Sequence, residues 1–144
     1  MVTKKERLER LGSVRLFEGL SKADLKHLND ISMIVHHDEG HTIISKGHQA
    51  ASFQLILDGE ARIVRGERTV ARLGPGEFYG EMALIDEGAR TASVIAATPM
   101  TVLAIAAWDF RPLVKRRPEM AWKLLVHLTG RLREAQKQED ALRA

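Results

Sequence analysis

One glycine-rich segment stands out in this chain: Gly74-Pro75-Gly76-Glu77-Phe78-Tyr79-Gly80-Glu81-Met82-Ala83-Leu84-Ile85-Asp86-Glu87-Gly88-Ala89-Arg90-Thr91-Ala92. Gly80 precedes a short run of good helix formers, and the first turn of such a helix leaves backbone N–H groups without helical partners. Those donors, together with the positive end of the helix, favour an anion. A glycine there lets a ligand approach the backbone closely. The segment therefore predicts an anion-binding loop.

Two charged side chains in this segment suit complementary parts of a nucleotide. Arg90 follows Glu81 by nine residues and lies where the next strand begins, so its planar fork can meet two phosphate oxygens. Thr91 can add a hydroxyl to the same anion. Because Glu81 repels phosphate, its carboxylate is expected to accept a hydrogen bond from a ribose hydroxyl. The alternative is a surface salt bridge between Glu81 and Arg90, but the glycines and the surrounding strands favour the nucleotide pocket.

Short apolar and β-branched runs flank this segment on both sides. They alternate with glycine-containing breaks and have no long helices between them, which predicts an antiparallel sandwich or barrel. Asp58-Gly59 is typical of a hairpin turn, since both residues tolerate positive φ. The predicted strands cover residues 33–35, 42–44, 53–57, 61–64, 69–73, 92–97 and 101–105.

Helices are predicted at both ends of the chain. Residues 4–11 have the pattern of a short amphipathic helix, and Ser21 is the expected N-cap of a second one. Near the C-terminus, residues 108–115 form a short helix in which Pro112 limits regularity unless it lies in the first turn. Pro118 then suits the first turn of a long helix that runs to about residue 141.

The long helix carries a heptad seam. Its spacing alternates between four and three residues, which is the pattern of a coiled coil, although one glutamate weakens it. The seam predicts either a homodimer or a stripe that packs on the chain's own barrel. Its members are Ala121, Leu125, Leu128, Leu132, Ala135, Glu139 and Leu142.

The sequence resembles the cyclic nucleotide-binding domain family, which includes the catabolite activator protein, the regulatory subunits of cAMP-dependent protein kinase and cyclic-nucleotide-gated channels. Phe78-Tyr79-Gly80-Glu81-Met82-Ala83-Leu84-Ile85, followed by Arg90-Thr91-Ala92, closely resembles that family's phosphate-binding cassette. Leu16-Phe17-Glu18-Gly19-Leu20-Ser21 is similar to its opening segment, and Gly47 and Gly59 fall at its barrel-turn glycines.

The resemblance implies a single, mainly β domain over residues 1–144. Residues 1–31 would form N-terminal helices, and residues 32–106 a jelly-roll-like antiparallel β-roll, also called a double-stranded β-helix. This roll would contain the cassette, residues 76–92, with its own short helix. Residues 107–144 would form the hinge and lid helices, the lid being the long C-terminal helix.

The resemblance also implies a ligand, cAMP or cGMP, with no further cofactor and no metal. Glu81 would hold the ribose 2′-hydroxyl beside Gly80, and Arg90 would pair with the cyclic phosphate, helped by Thr91 and by backbone N–H groups near residues 83 and 84. The implied ligand-binding residues are Phe78, Gly80, Glu81, Met82, Ala83, Leu84, Arg90, Thr91 and Ala92.

The family usually covers the base with its long helix, here near Leu132, Arg133, Ala135 and Gln136. One family member has a threonine where this chain has Ala135, and threonine at position 91 is compatible with cGMP as well as cAMP. The purine preference therefore stays open.

Two other functions fit a barrel of this kind. A cupin-like metal-dependent enzyme would use histidines such as His36, His37, His41 and His48. Strand side chains share a face only at alternate positions, so an adjacent pair diverges, and no His-x-His pair occurs. The other alternative is the truncated sensor half of a DNA-binding transcription regulator. Its recognition helix would follow the long helix, and we expect none in a chain that ends at Ala144.

Composition excludes several classes of protein. The absence of cysteine rules out disulfides, thiolate zinc sites and cysteine nucleophiles, and no Ser-His-Asp context is recognisable. A net charge of +3, from 22 basic and 19 acidic residues, is too small to indicate nucleic-acid binding. The sequence has neither a membrane-spanning apolar run nor a secretory signal. Together with the resemblance described above, this leads us to expect a cytoplasmic, non-enzymatic sensor that moves its C-terminal helices on binding a cyclic nucleotide and so regulates a partner or an effector domain.

Overall fold

The computed structural model describes residues 3–44, 52–80 and 92–143. Within them, helices lie at both ends and strands between, as predicted. A single 3₁₀ turn, Arg15–Phe17, follows the first helix. The elements are α1 (Lys4–Ser13), α2 (Lys22–Asp30), β1 (Ser32–His37), β2 (Thr42–Ile44), β3 (Ser52–Asp58), β4 (Ala61–Arg65), β5 (Arg68–Leu73), β6 (Phe78–Tyr79), β7 (Ser93–Ala96), β8 (Met100–Ala106), α3 (Ala107–Arg116) and α4 (Pro118–Arg143).

The described strands form two four-stranded antiparallel sheets. The first has the order β1-β8-β3-β6 and the second the order β2-β7-β4-β5. This confirms the mainly β, antiparallel roll with flanking helices. Each predicted strand is present, and β6 is an additional strand of two residues that the apolar pattern was too short to indicate.

The predicted hairpin at Asp58-Gly59 is wrong. A turn is present, and Gly59 has φ +91°, but β3 and β4 belong to different sheets and do not pair. A β-carbon on Gly59 would collide with the carbonyl oxygen of Pro99, so the turn is pressed against the loop before β8. This close approach lets the chain cross between sheets, where a hairpin would have kept it in one.

Alternating strand residues fill two separate cores. In β8, Leu103 and Ile105 face the helices, whereas Val102 faces the space between the two sheets. In β3, Phe53 and Leu55 face the helices and Ile56 faces the other way. Because strand side chains alternate, one sheet supports both the helical layer and the interior of the roll.

Local signals at the helix ends are confirmed. The Ser21 hydroxyl accepts a hydrogen bond of 3.1 Å from the backbone N–H of Asp24, and α4 begins at Pro118. Pro112 lies beyond the first turn of α3, yet the helix continues through it. Phe110 and Leu113, both fully buried, hold α3 against the core on either side of this proline.

The junction between α3 and α4 is fastened to the N-terminal helices. Arg117, where helical geometry is interrupted (φ −124°, ψ 82°), donates two hydrogen bonds of 2.8 and 2.9 Å to the carboxylate of Asp24. These hydrogen bonds hold the pKa of Asp24 below its usual value. One turn into α4, Lys123 Nζ donates to the Glu18 carbonyl at 2.6 Å.

No helix in the described part of the chain is long and apolar enough to cross a membrane.

Candidate functional site

Most of the predicted ligand-binding residues lie outside the described residues. They are Glu81, Met82, Ala83, Leu84, Arg90 and Thr91. Gly47 and His48 also lie outside them. Phe78, Gly80 and Ala92 are described, and they flank the segment on both sides. The structure therefore describes the residues on both sides of this segment, 78–80 and 92–93, which we call the cassette frame.

This frame joins the two sheets. Tyr79 ends β6 in the first sheet, where it is in register with Gln54 of β3. Ser93 begins β7 in the second sheet, where it is in register with Val64 of β4. The described chain therefore leaves the first sheet after Tyr79 and enters the second sheet at Ser93.

Gly80 ends the described part of the frame in a conformation that favours glycine. Its φ is +89°, and a β-carbon at this position would collide with the carbonyl oxygen of Ser52 and lie 3.3 Å from Cα of Phe53. The chain therefore enters the cassette in direct contact with the backbone of β3. This contact with β3 is by itself a reason for a glycine at position 80, and the close approach of a ligand to Gly80 stays a prediction.

A buried polar network fixes Tyr79, the residue before Gly80. The Tyr79 hydroxyl donates a 2.7 Å hydrogen bond to Gln54 Oε1, and Gln54 Nε2 donates to Ser52 Oγ at 3.1 Å. Tyr79 is 1% exposed, and burial raises the pKa of its hydroxyl above the ordinary value, so it stays protonated and keeps donating. The network ties β6 to β3 directly below Gly80.

Phe78 connects the same strand to the long helix. Its ring centroid lies 5.0 Å from that of Phe53 and 4.4 Å from the imidazole of His127 on α4. Phe53 in turn lies 4.8 Å from Phe110 on α3. A continuous row of rings therefore runs from the short helix α3, through the cassette frame, to the helix predicted as the lid.

Side chains of helix α4 donate hydrogen bonds to backbone carbonyls of both sheets. Arg131 Nη2 donates to the Phe78 carbonyl of β6 at 3.3 Å, and Gln138 Nε2 donates to the Val70 carbonyl of β5 at 3.1 Å. These two acceptors belong to different sheets. Helix α4 therefore lies across β5 and β6, and its role as a lid stays a prediction.

The predicted base-capping residues divide between the faces of α4. All four, Leu132, Arg133, Ala135 and Gln136, are exposed. With about 100° between successive helix residues, Ala135 lies on the same side as Arg131 and Gln138. Leu132 projects sideways, and Arg133 and Gln136 lie on the far side of the helix.

Sequence reasoning missed the side chains that make these contacts. Arg131 and Gln138 continue a second stripe that begins with Met120, Leu124 and His127, at spacings of four, three, four and seven. Its first two members are buried against the core. Continuing that stripe past the point where it turns polar could have identified both residues from the sequence.

The histidines of β1 and the following turn form a local group. The rings of His37 and His41 stack with centroids 5.5 Å apart, and His36 Nδ1 lies 3.0 Å from the hydroxyl oxygen of Thr101. Burial, reinforced by the neighbouring imidazoles of His41 and His36, holds the pKa of His37 below its ordinary value. Within residues 3–44, 52–80 and 92–143, no three His, Cys, Asp or Glu residues are placed to hold a metal ion.

Comparison with known proteins identifies this architecture. The profile of the cyclic nucleotide-binding domain matches residues 34–117, more than half of the chain. The chain belongs to the cyclic nucleotide-binding domain family. The resemblance drawn from the cassette residues is thereby confirmed.

Relatives of this cyclic nucleotide-binding domain include longer proteins. It is 36% identical over 132 residues to the cyclic AMP receptor protein of Thermus thermophilus, covering 88% of this chain and 61% of that protein. The crystal structure of the Thermus thermophilus catabolite activator protein has a TM-score of 0.77 at 36% identity, covering 88% and 62% of the two chains. The cAMP-dependent protein kinase regulatory subunit of Mycosarcoma maydis is 34% identical over 91 residues, 60% of this chain and 17% of that protein. The domain thus spans only part of these relatives.

Proposed function

We propose that this domain is a sensor for a cyclic nucleotide, cAMP or cGMP, bound between the cassette and α4. The supporting observation is the frame itself. Gly80 packs against β3 just before Glu81, while α4 donates hydrogen bonds to one backbone carbonyl of each sheet. A ligand held by the cassette and touched by α4 would bias the position of that helix.

In this proposal, two residues of the cassette bind the phosphate and the sugar. Arg90 pairs with the cyclic phosphate through its planar guanidinium, with Thr91 adding a hydroxyl. Glu81 accepts a hydrogen bond from the ribose 2′-hydroxyl. Glu81 directly follows Gly80, whose own backbone packs against β3.

The base would lie toward α4. Ala135 lies on the barrel side of the helix between Arg131 and Gln138, and its small side chain leaves room beneath the helix. Leu132, Arg133 and Gln136 belong to the exposed faces and would reach the nucleotide of a second copy or none. With an alanine at position 135, we expect weak discrimination between the two purines.

Signal output would come from movement of α3 and α4. The two helices meet at Arg117, where helical geometry is interrupted, and this point rests on Asp24 of α2. Ligand binding shifts such an equilibrium only as far as the two positions differ in affinity for it. We propose that a cyclic nucleotide favours the position in which α4 lies over the cassette.

A homodimer through α4 is supported by the exposure of the heptad seam. Leu125 is 53% exposed, Leu132 61% and Leu142 66%, whereas Met120 and Leu124 supply the contacts with the core. These three leucines of the seam are therefore available for contact with a second copy. A second copy would bury them, in the manner of a coiled coil.

The output of the sensor would be regulatory, without chemistry on the nucleotide. We propose a cytoplasmic regulator that acts on a partner protein or on an effector domain. The relatives named above include a cyclic AMP receptor protein, so a DNA-binding effector is one such domain.

Calorimetric titration with cAMP, cGMP and linear AMP tests the proposal. We expect the cyclic nucleotides to bind and linear AMP to bind far more weakly. Arg90→Ala should cost about 2–5 kcal/mol of binding, since it leaves a buried phosphate unpaired. Arg90→Lys should restore only part of that loss. Arg15→Ala, which removes an exposed arginine of the 3₁₀ turn, is the matched control and should leave affinity unchanged.

A second titration separates the sugar contact from the phosphate contact. Glu81→Gln should weaken cAMP binding and leave the affinity for 2′-deoxy-cAMP nearly unchanged. Equal losses for both ligands would remove Glu81 from the ribose role. An unchanged dissociation constant for Arg90→Ala would mean that the phosphate binds elsewhere.

A further inference from the structure

The second half of α4 has little apolar support. Met120 and Leu124 are 2% exposed and belong to the core, but none of the described residues of α4 after Leu124 is buried. Leu128 is half-buried, and the residues from 132 to 137 are all exposed. Hydrophobic packing therefore positions the first two turns of α4 and leaves the direction of the rest to other contacts.

Two side chains supply contacts in this half. Arg131 donates to the Phe78 carbonyl, and Gln138 donates to the Val70 carbonyl seven residues later. Seven residues are two helical turns, about 10 Å along the axis, so both side chains lie on one face. The hydrogen bond of Gln138 is thus made five turns beyond the start of α4, where a small change in helix direction produces the largest displacement.

The Val70 carbonyl, which accepts the hydrogen bond from Gln138, lies at an irregular position in the sheet. In the pairing of β4 with β5, Ile63 is in register with Ala71 and Val64 with Thr69, so Val70 is the extra residue of a bulge. A bulge leaves its extra residue without a partner in the ladder. β5 is also the edge strand of its sheet, and edge carbonyls accept hydrogen bonds from outside the sheet.

The geometry points to Gln138 as a positioning residue, a latch that holds the distal half of α4 against β5 by its hydrogen bond to the bulge at Val70. It acts through the helix and does not touch the nucleotide. Together with the hydrogen bond of Arg131, it fixes this half of α4 at both Phe78 and Val70. The part of this inference that concerns ligand release rests on the proposed function. We expect Gln138 to set the residence time of the nucleotide.

Hydrogen exchange on the nucleotide-free protein tests the latch without any ligand. Gln138→Glu keeps the shape of the side chain but removes its N–H donors, and Gln138→Ala removes the side chain without adding charge. In both variants, amides of residues 131–143 should exchange about three- to tenfold faster, as for the loss of one hydrogen bond, while residues 107–124 stay unchanged. Gln138→Lys, which restores a donor of similar reach, should return the exchange toward that of the parent protein.

The matched control is Lys137→Ala, which alters an exposed neighbour on another face of the same turn. It should change neither exchange nor thermal stability. Unchanged exchange of residues 131–143 in both Gln138→Glu and Gln138→Ala would overturn the latch. Equal acceleration by Lys137→Ala would also overturn it, because the effect would then be general fraying of the helix end.

Stopped-flow displacement of a fluorescent cAMP analogue tests the control of residence time. Gln138→Glu should raise the dissociation rate about three- to tenfold and leave the association rate within about twofold. Faster exchange with an unchanged dissociation rate would refute the role in ligand release. If the parent protein binds no cyclic nucleotide, the proposed function fails, while the exchange measurement still decides whether the latch exists.

Discussion

Gly80→Ala is the substitution in the cassette frame that we expect to destabilise the fold most. Two costs add at this position. With φ at +89°, any residue with a β-carbon is held in the left-handed region, at about 1–2 kcal/mol. The new methyl group would also collide with the carbonyl oxygen of Ser52. That oxygen belongs to the backbone of β3, so relief requires a shift of a buried strand at about 1–3 kcal/mol.

We therefore expect Gly80→Ala to lower the free energy of unfolding by about 2–5 kcal/mol, a large part of the stability of an average domain. Gly76→Ala is the matched control. Gly76 has nearly the same φ, +87°, but nothing lies within 4 Å of the position of its β-carbon. It should show only the backbone cost of about 1–2 kcal/mol. The difference between the two variants isolates the steric contact with Ser52.

Urea unfolding of the parent and both variants, followed by circular dichroism, measures this difference. Two equally destabilised variants would refute the close approach of Gly80 to β3. If Gly80→Ala remains folded, its affinity for cAMP should also fall, because the start of the cassette can no longer contact β3 in the same way. Gly76→Ala should bind cAMP like the parent protein.

Three further predictions concern the surroundings of the site. Tyr79→Phe should cost about 1–3 kcal/mol in urea unfolding, because it removes the donor to the buried Gln54 oxygen; a variant as stable as the parent would contradict that network. Because the folded state lowers the pKa of His37, the unfolded chain binds the extra proton, so stability should fall as the pH drops below about 6.5. His37→Gln should flatten this dependence in urea titrations between pH 7.5 and 5, and a parent protein with equal stability at both limits would contradict it. Leu125→Glu should leave the fold intact and shift sedimentation toward the monomer; an unchanged oligomeric state would exclude the α4 seam as the interface.

Local sequence patterns were sufficient to predict most of the secondary structure. β-branched runs predicted seven strands, and Ser21 and Pro118 marked two helix starts, because a cap or a strand period depends on residues close together in the chain. The cassette residues by themselves also indicated the family. The Asp58-Gly59 turn was misjudged because its dihedral preference is local, whereas the choice of sheet is not.

Only the tertiary structure revealed which partners hold the site together. Tyr79 bonds to Gln54 across 25 residues, and Gln138 bonds to Val70 across 68. No period or propensity encodes such pairs, since each depends on how two sheets and a helix pack and on a bulge that moves one carbonyl out of register. The sequence by itself determined the chemistry that the cassette can offer a nucleotide, because residue types and their order carry it. The position of α4 across β5 and β6 came from tertiary contacts, which bring together groups far apart in the chain.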